Sequence, residues 1–274
     1  MRYFIRLSFK GTHYCGWQAQ RNATGVQAEL SRALSLYLGE PIELCGAGRT
    51  DAGVHAINYI AHFDANHLDL LGKHNQYAYK LNAILPPDIC VHAISARSPT
   101  AHARFDALSR TYIYNIHLSK NPFLREFSTF CPYPLNVEEM NRAAALLLGT
   151  HDFTAFSKLH SGNKTSICTI THASFTPQSS NHTPFTPQSS NHTPFPPHPS
   201  AHTFSDIIFT ISANRFLRNM VRAIVGTLLE VGRGKLNPEE VAAILQKRDR
   251  NAAGSSVSAQ GLFLCQIDYP YPVL

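Results

Sequence analysis

The sequence lacks the features of several protein classes. Its six cysteines are scattered without a CxxC pair, which argues against a zinc site or a disulfide framework and fits a reducing compartment. It contains no apolar run of about 18 residues, so we expect no membrane span. The first residues alternate in polarity and form no apolar h-region, so we expect no signal peptide. These absences predict a cytoplasmic protein.

The length and charge of the chain restrict the remaining possibilities. A chain of 274 residues that are 44% hydrophobic can build one large domain or two smaller ones. Lysine and arginine number 24 against 18 acidic residues, which gives a formal net charge of +6. A basic protein suits a polyanionic partner such as nucleic acid, although many basic proteins have other roles.

The hydrophobic periodicity in the first part of the chain alternates between strand and helix. It predicts a strand at 2–9, a helix at 26–37 that ends at Gly39, strands at 42–45 and 57–63, a helix at 73–84 and a strand at 89–96. This β-α-β-β-α-β order is typical of a ferredoxin-like half.

The second part repeats the theme loosely. It predicts a strand at 111–118, a helix capped by Asn136 that ends at Gly149, strands at 166–175 and 206–213, a helix at 215–231, a short helix opened by Asn237-Pro238 and a strand at 262–267. We therefore predict an α+β fold with two ferredoxin-like halves around a central antiparallel sheet. The expected halves are residues 1–105 and 106–274.

One segment departs from this pattern. Residues 175–184 read FTPQSSNHTP, and residues 185–194 repeat them letter for letter. The composition is rich in Pro, Ser, Asn and His and cannot bury enough apolar surface to fold alone. We expect a solvated hairpin insert at about 175–203; its four histidines could also bind a metal.

The most informative stretch is the turn at residues 47–56, which reads AGRTDAGVHA. Asp51 lies between Gly48 and Gly53, where the backbone can approach a ligand closely. Arg49 could pair with the carboxylate and hold it ionised. On turn chemistry alone, the simpler interpretation is an Asx-type hairpin turn in which Asp51 only accepts backbone N–H groups.

Nine consecutive residues at 48–56 resemble the signature of the tRNA pseudouridine synthase A family, and four further segments agree in order. These segments are 16–20 with 26–27, 102–107 with 110–114, 216–222, and Gly254 with 261–264. The resemblance covers about residues 2–269 apart from the insert, and it implies the pseudouridine synthase fold.

The resemblance implies an isomerase that converts uridine to pseudouridine at positions 38–40 of the tRNA anticodon arm, working as a homodimer. The C1′–N1 bond breaks, the base turns, and C5 bonds to C1′, so no cofactor or metal is required. Asp51 would be the catalytic carboxylate. Attack on C1′ and removal of a 2′ proton both stay open for it.

The resemblance also assigns the substrate-binding residues. Tyr112 matches the active-site tyrosine, whose ring could stack on the extruded base and whose hydroxyl could carry the C5 proton. Arg49 could also fill the gap that this base leaves. Leu262 and Leu264 lie on the strand that places an apolar residue over the base. Without the resemblance, Tyr112 and Tyr114 would read as alternating residues of a packed strand.

Several basic residues are candidates for RNA binding. Arg215, Arg218 and Arg222 recur at helical spacing and would share one face able to follow a phosphate backbone. Arg104, Arg110 and Lys158 lie near the motifs and could extend that surface. A solvated helix face is the alternative.

Two other functions use the same residues. An RNA-binding module without catalysis would share the basic and aromatic residues but gives no reason for Asp51 in its turn. A metal-dependent hydrolase could use Asp51 and His55, although their spacing lacks a metal motif. We expect His55 and His102 to be hydrogen-bonded structural groups or RNA contacts.

Overall fold

A computed structural model describes residues 1–20, 23–66, 68, 74–158, 165–178 and 206–273. In these ranges the chain is a mixed α/β protein with one large, mostly antiparallel sheet and five α-helices. None of the helices among these residues has the length and apolar character needed to cross a membrane.

The predicted elements occur in the predicted order, and two short strands, at 129–130 and 149–152, were not predicted. The helices are α1 (Val26–Leu38), α2 (His74–Ile84), α3 (Val137–Ala145), α4 (Met220–Gly232) and α5 (Glu240–Lys247). The strands are β1 (Arg2–Phe9), β2 (Leu44–Gly46), β3 (His55–Asp64), β4 (Ile89–Arg97), β5 (Ser109–His117), β6 (Thr129–Phe130), β7 (Gly149–Asp152), β8 (Ile167–Gln178), β9 (Asp206–Ala213) and β10 (Leu262–Asp268).

The sheet has the strand order β4-β1-β3-β10-β5-β9-β8-β7, with β2 on β3 and β6 on β5. Its neighbours are antiparallel except for β10 with β3 and β6 with β5. Strand β10 therefore returns from the end of the described chain to the middle of the sheet, between β3 and β5. This return places residues from both parts of the sequence side by side.

Alternation along β1 explains the first core. The strand directs Tyr3, Ile5, Leu7 and Phe9 to the face that α1 and α2 cover, where they pack with side chains such as Leu30. Helix α1 ends at Gly39, whose φ of 71° is a conformation that glycine adopts without strain. This part of the chain therefore forms as the pattern predicts.

A second core lies under β5, β8, β9, α3 and α4. Its fully buried side chains include Tyr114, Phe209, Ile224 and Leu228. Tyr112, two residues from Tyr114 on β5, is half-buried and packs against both cores. It therefore lies at the junction between them.

Two predicted helix bounds are wrong. Helix α4 begins at Met220 rather than at 215, because Asn219 adopts a left-handed conformation with φ of 67°. Helix α3 ends at Ala145, and the next three residues bond three positions back before Gly149 opens β7. The first of these differences changes the site, as described below.

The duplicated insert falls on the connection between β8 and β9. These two strands pair antiparallel up to Gln178 and Asp206, as expected for a hairpin. The first four residues of the repeat belong to β8. The rest of the predicted insert, up to residue 203, lies outside the described residues.

Candidate active site

The loop at 47–54 joins β2 to β3 and packs tightly against the segment at 11–17. An added Cβ on Gly16 would come within 2.1 Å of the Thr50 carbonyl oxygen, and one on Gly11 within 2.0 Å of the Val54 carbonyl oxygen. The Gly53 N–H donates to the Tyr14 carbonyl at 3.2 Å. Only glycine allows this approach, so the two segments hold Asp51 on a fixed loop.

The ion pair of Asp51 corrects the sequence-based interpretation. Among the described residues, the cation within ion-pair distance is Arg218, with its Nε 3.7 Å from Oδ1 of Asp51. Arg49 is exposed and forms no ion pair with Asp51 there. The Asp51 side chain is 23% exposed, so the carboxylate is reachable from solvent while it faces a guanidinium.

Arg218 reaches the loop because it does not lie on a helix. The turn at Asn219 separates Arg218 from α4, and the Asn219 side chain donates to Ser256 Oγ at 2.6 Å. Asparagine tolerates the left-handed conformation better than most residues. The buried Leu217 anchors the same segment in the core. The segment at 214–219 therefore crosses over the site and presents Arg218 to Asp51.

Tyr112 lies beneath this segment. Its ring makes an edge-to-face contact with Phe216, with ring centroids 5.2 Å apart. Burial raises the pKa of the Tyr112 hydroxyl well above its usual range, and the negative charge of Asp51 raises the pKa further. At neutral pH this hydroxyl is therefore protonated and lies within electrostatic reach of the carboxylate.

Arg110 has a structural role that the sequence did not predict. Its guanidinium donates to four backbone carbonyls, those of Ala47, Arg104, Ala107 and Asn214, at 2.8–3.0 Å. These four carbonyls belong to three segments, namely the Asp51 loop, the turn before β5 and the start of the 214–219 segment. Arg110 thus ties together the segments that carry Asp51 and Arg218.

The two leucines of β10 are both buried. Leu264 pairs in register with Tyr112, and Leu262 with Tyr114. Residues opposite each other on neighbouring strands share one face of the sheet, so Leu264 is the direct neighbour of Tyr112. Tyr114 is a core residue, in agreement with the interpretation of Tyr114 as a packed residue of the strand. Its hydroxyl forms a hydrogen bond with Thr129 Oγ1 at 2.6 Å.

The predicted basic helix face does not form. Arg215 and Arg218 precede α4, and only Arg222 lies on it. The Nε of Arg222 donates to the Val257 carbonyl at 2.7 Å, so this guanidinium is engaged by the chain itself. Lys158 and Arg104 are exposed, and the Lys158 N–H donates to the Arg218 carbonyl at 3.0 Å.

His55 is a structural residue. It is 1% exposed, its Nδ1 accepts from the Gly11 N–H, and its Nε2 donates to the Glu126 carbonyl, both at 3.0 Å. Both ring nitrogens are therefore occupied. A hydrolase that ligates a metal through His55 is not compatible with these hydrogen bonds.

A second possible metal site is formed by Cys45, His62 and His102. The Sγ atom and one ring nitrogen of each histidine lie within 4.8 Å of one another. However, Nδ1 of His62 accepts the Ala103 N–H, and Nδ1 of His102 accepts two backbone N–H groups. A neutral imidazole that accepts at Nδ1 carries its proton on Nε2, the atom that would have to ligate. Burial also lowers the pKa of His62 to about 4 and raises that of Cys45. The group therefore suits a neutral, hydrogen-bonded cluster better than a metal centre.

The site thus holds a carboxylate beside a guanidinium, a protonated tyrosine and a buried leucine. The sequence predicted Asp51, Tyr112 and Leu264, but not the pairing of Arg218 or the four bonds of Arg110. A signal for Arg218 was present, since residues 216–222 resemble a segment of the family, but the sequence predicted only a contact with RNA for this residue.

Comparison with known proteins identifies the family of this chain. The family model for tRNA pseudouridine synthase matches residues 7–106 and 143–270. A tRNA pseudouridine synthase A of Bacteroides thetaiotaomicron is 47% identical over 269 residues, covering 98% of this chain and 91% of the relative. One of Bacteroides fragilis is 45% identical over 274 residues, covering 99% and 98%. One of Acetivibrio thermocellus is 37% identical over 265 residues, covering 96% and 97%. The chain belongs to the tRNA pseudouridine synthase family.

Proposed function

We propose that this protein isomerises uridine to pseudouridine in tRNA, at positions 38–40 of the anticodon stem-loop, without a cofactor. The observation that carries the proposal is the Asp51 carboxylate, held on a rigid loop 3.7 Å from Arg218 and within electrostatic reach of Tyr112. The names of the relatives, all tRNA pseudouridine synthase A, support the substrate.

Each side chain has a step in this proposal. The Asp51 carboxylate attacks C1′ or removes the 2′ proton, and in both cases the C1′–N1 bond breaks. The base turns and C5 bonds to C1′, while the Asp51–C1′ bond breaks or, in the second route, the 2′ proton returns to C2′. N1 takes up one proton and C5 loses one, so the product is an isomer of uridine. Tyr112 and Leu264 border the base, and the Tyr112 hydroxyl relays the C5 proton, giving up its own proton as it takes that one.

The direct test is release of tritium from tRNA labelled at C5 of uridine. An isomerase releases the label to water in proportion to pseudouridine formed. An RNA-binding module without catalysis binds the same tRNA and releases none. The assay therefore separates the two functions that share these basic and aromatic residues.

Arg110 is expected to position the catalytic loop. Replacing it in an Arg110→Lys variant keeps the charge but loses the planar fork that reaches four carbonyls. We expect kcat to fall about 10- to 100-fold with little change in KM, since small displacements of catalytic groups are costly. Amide hydrogen exchange in residues 47–54 should rise.

The matched control for this prediction is Arg2→Lys. Arg2 also makes three guanidinium bonds, two to Asp64 and one to the Ala101 carbonyl, but none to the Asp51 loop. A comparable loss of kcat in Arg2→Lys would mean that Arg110 acts only on general stability.

Salt dependence distinguishes RNA-facing arginines from structural ones. Arg104→Gln removes an exposed cation and should reduce the magnitude of the slope of log K against log salt by about 0.7 to 0.9. Arg222→Gln should leave that slope unchanged, because Arg222 is half-buried and its guanidinium donates to the Val257 carbonyl. Equal slopes for both variants and the parent chain would remove Arg104 from the RNA interface. Binding is measured by fluorescence anisotropy with tRNA transcript.

We further propose a homodimer and a ferredoxin-like first half. The homodimer is supported by the segment at 122–133, which exposes four aromatic rings, because exposed apolar patches are typical of interfaces. These rings are Phe123, Phe127, Phe130 and Tyr133.

The ferredoxin-like half is supported by the strand order β4-β1-β3-β2, with α1 and α2 as the connections. A division at residue 105 and a cytoplasmic location stay predictions.

A further inference from the structure

Phe105 is an aromatic side chain that the mechanism does not use. It is 77% exposed, although full burial of a phenylalanine would be favourable. One face of its ring is nevertheless supported, since it stacks on His102 with ring centroids 4.2 Å apart and an interplanar angle of 26°. The arrangement is a flat ring with one backed face and one face toward solvent.

The turn that carries Phe105 is held from several sides. The His102 N–H donates to Asp106 Oδ2 at 2.8 Å, and Tyr271 donates to the same oxygen at 2.5 Å. The Tyr269 hydroxyl donates to the Ala103 carbonyl at 2.6 Å. Nδ1 of His102 accepts the N–H of Phe105 itself at 3.2 Å. The ring is therefore preorganised, which lowers the entropic cost of binding a ligand.

This turn adjoins the catalytic loop. A single nitrogen, Nη2 of Arg110, donates to the Ala47 carbonyl at 3.0 Å and to the Arg104 carbonyl at 2.9 Å. Phe105 directly follows Arg104, whose carbonyl accepts from the same nitrogen as the Ala47 carbonyl at the start of the Asp51 loop. It lies beside the site of chemistry, not within it.

The turn of Phe105 and the segments that adjoin it carry exposed cations, as a nucleic-acid surface does. Arg104 and Arg49 are exposed, and the Arg218 side chain is 59% exposed. Cations that track phosphates, combined with an aromatic ring that stacks a base, are the usual components of single-stranded nucleic-acid sites. A partner that made only apolar contact with the Phe105 ring would not require these arginines.

We propose that Phe105 is a stacking platform for an unpaired base of the anticodon loop, at a nucleotide neighbouring the target uridine. The proposal rests on the proposed function, because it uses the same RNA, but it concerns binding and not the chemical step. Phe105 would position the loop so that the target ribose meets Asp51. His102 is a positioning residue that supports the ring from behind.

A double-mutant cycle between protein and RNA tests this proposal. The probes are synthetic anticodon stem-loop RNAs in which one loop nucleotide at a time is abasic, and the readout is the dissociation constant. Phe105→Ala should weaken binding of the unmodified RNA about 5- to 150-fold, and Phe105→Trp should restore it. At one loop position, the abasic RNA should bind Phe105→Ala and the parent chain equally.

Tyr79→Ala is the matched control, because Tyr79 is also 77% exposed but lies on α2. It should bind every RNA as the parent chain does. Equal binding of the unmodified RNA by Phe105→Ala and the parent chain would overturn the proposal. So would a loss that persists with every abasic RNA, or failure of the parent chain to bind the stem-loop.

The same proteins in the tritium-release assay separate this proposal from the proposed function. A parent chain that shows the coupling but releases no tritium would contradict the isomerase and leave the platform intact. A parent chain that releases tritium while Phe105→Ala matches it in binding would contradict the platform alone.

Discussion

Asp51→Asn is expected to abolish pseudouridine formation while the protein stays folded and bound to tRNA. An amide is neither a charged nucleophile nor a base, so the rate should fall by at least about 10⁴-fold. The fold should tolerate the change, since asparagine has nearly the same shape. The lost ion pair with the exposed Arg218 is worth about 1 kcal/mol or less. Tritium release measures the rate, thermal unfolding measures the stability of the fold, and fluorescence anisotropy measures the affinity for tRNA.

Asp152→Asn is a close control for this variant. Asp152 is 21% exposed and pairs with Arg248 at 3.4 Å, against 23% and 3.7 Å for Asp51 and Arg218. Asp152→Asn should therefore remove a similar ion pair and retain full activity. Activity of Asp51→Asn at the parent rate would remove Asp51 from the mechanism.

Tyr112→Phe is expected to give the second largest effect. The variant keeps the ring, its contact with Phe216 and its place in the sheet, and loses only the hydroxyl. If the hydroxyl carries the C5 proton, single-turnover rates should fall about 10²- to 10⁴-fold with tRNA affinity unchanged. Because the pKa of Tyr112 is raised, the parent rate should show no loss from tyrosine ionisation between neutral pH and pH 9.

Tyr114→Phe provides the comparison for Tyr112→Phe on the same strand. The Tyr114 hydroxyl donates to the Ser258 carbonyl at 2.9 Å inside the core, so its loss should cost about 1 kcal/mol of unfolding free energy and leave the rate unchanged. A Tyr112→Phe variant that turns over as fast as the parent would leave the hydroxyl without a catalytic role.

The sequence was sufficient for the parts of the site that depend on local chemistry. Glycines around Asp51 predicted a tight loop, and alternation placed Tyr112 on a strand with one packed face. The neighbours of these residues were not predictable in the same way. The four carbonyls that Arg110 reaches come from distant turns, and backbone acceptors leave no mark in a residue pattern.

The basic helix face was the main error, and its cause is physical. Apolar residues continue at helical spacing across 217–228, so the periodicity alone gave no reason to begin the helix at Met220. Asn219 breaks the helix through one backbone conformation that asparagine permits but does not require. Gly226 was a sequence signal that another segment covers the helix near Arg222. A Cβ on Gly226 would come within 1.8 Å of the Ser255 carbonyl oxygen, so the 253–257 segment packs against this part of α4.

The most direct measurement of the central claim is a map of pseudouridine in unmodified tRNA after incubation with the purified protein, read by carbodiimide-dependent stops of reverse transcription. We expect new stops at one or more of positions 38–40 with the parent chain, and none with Asp51→Asn. Stops only at other positions, no stops with the parent chain, or the same stops with Asp51→Asn would contradict the account.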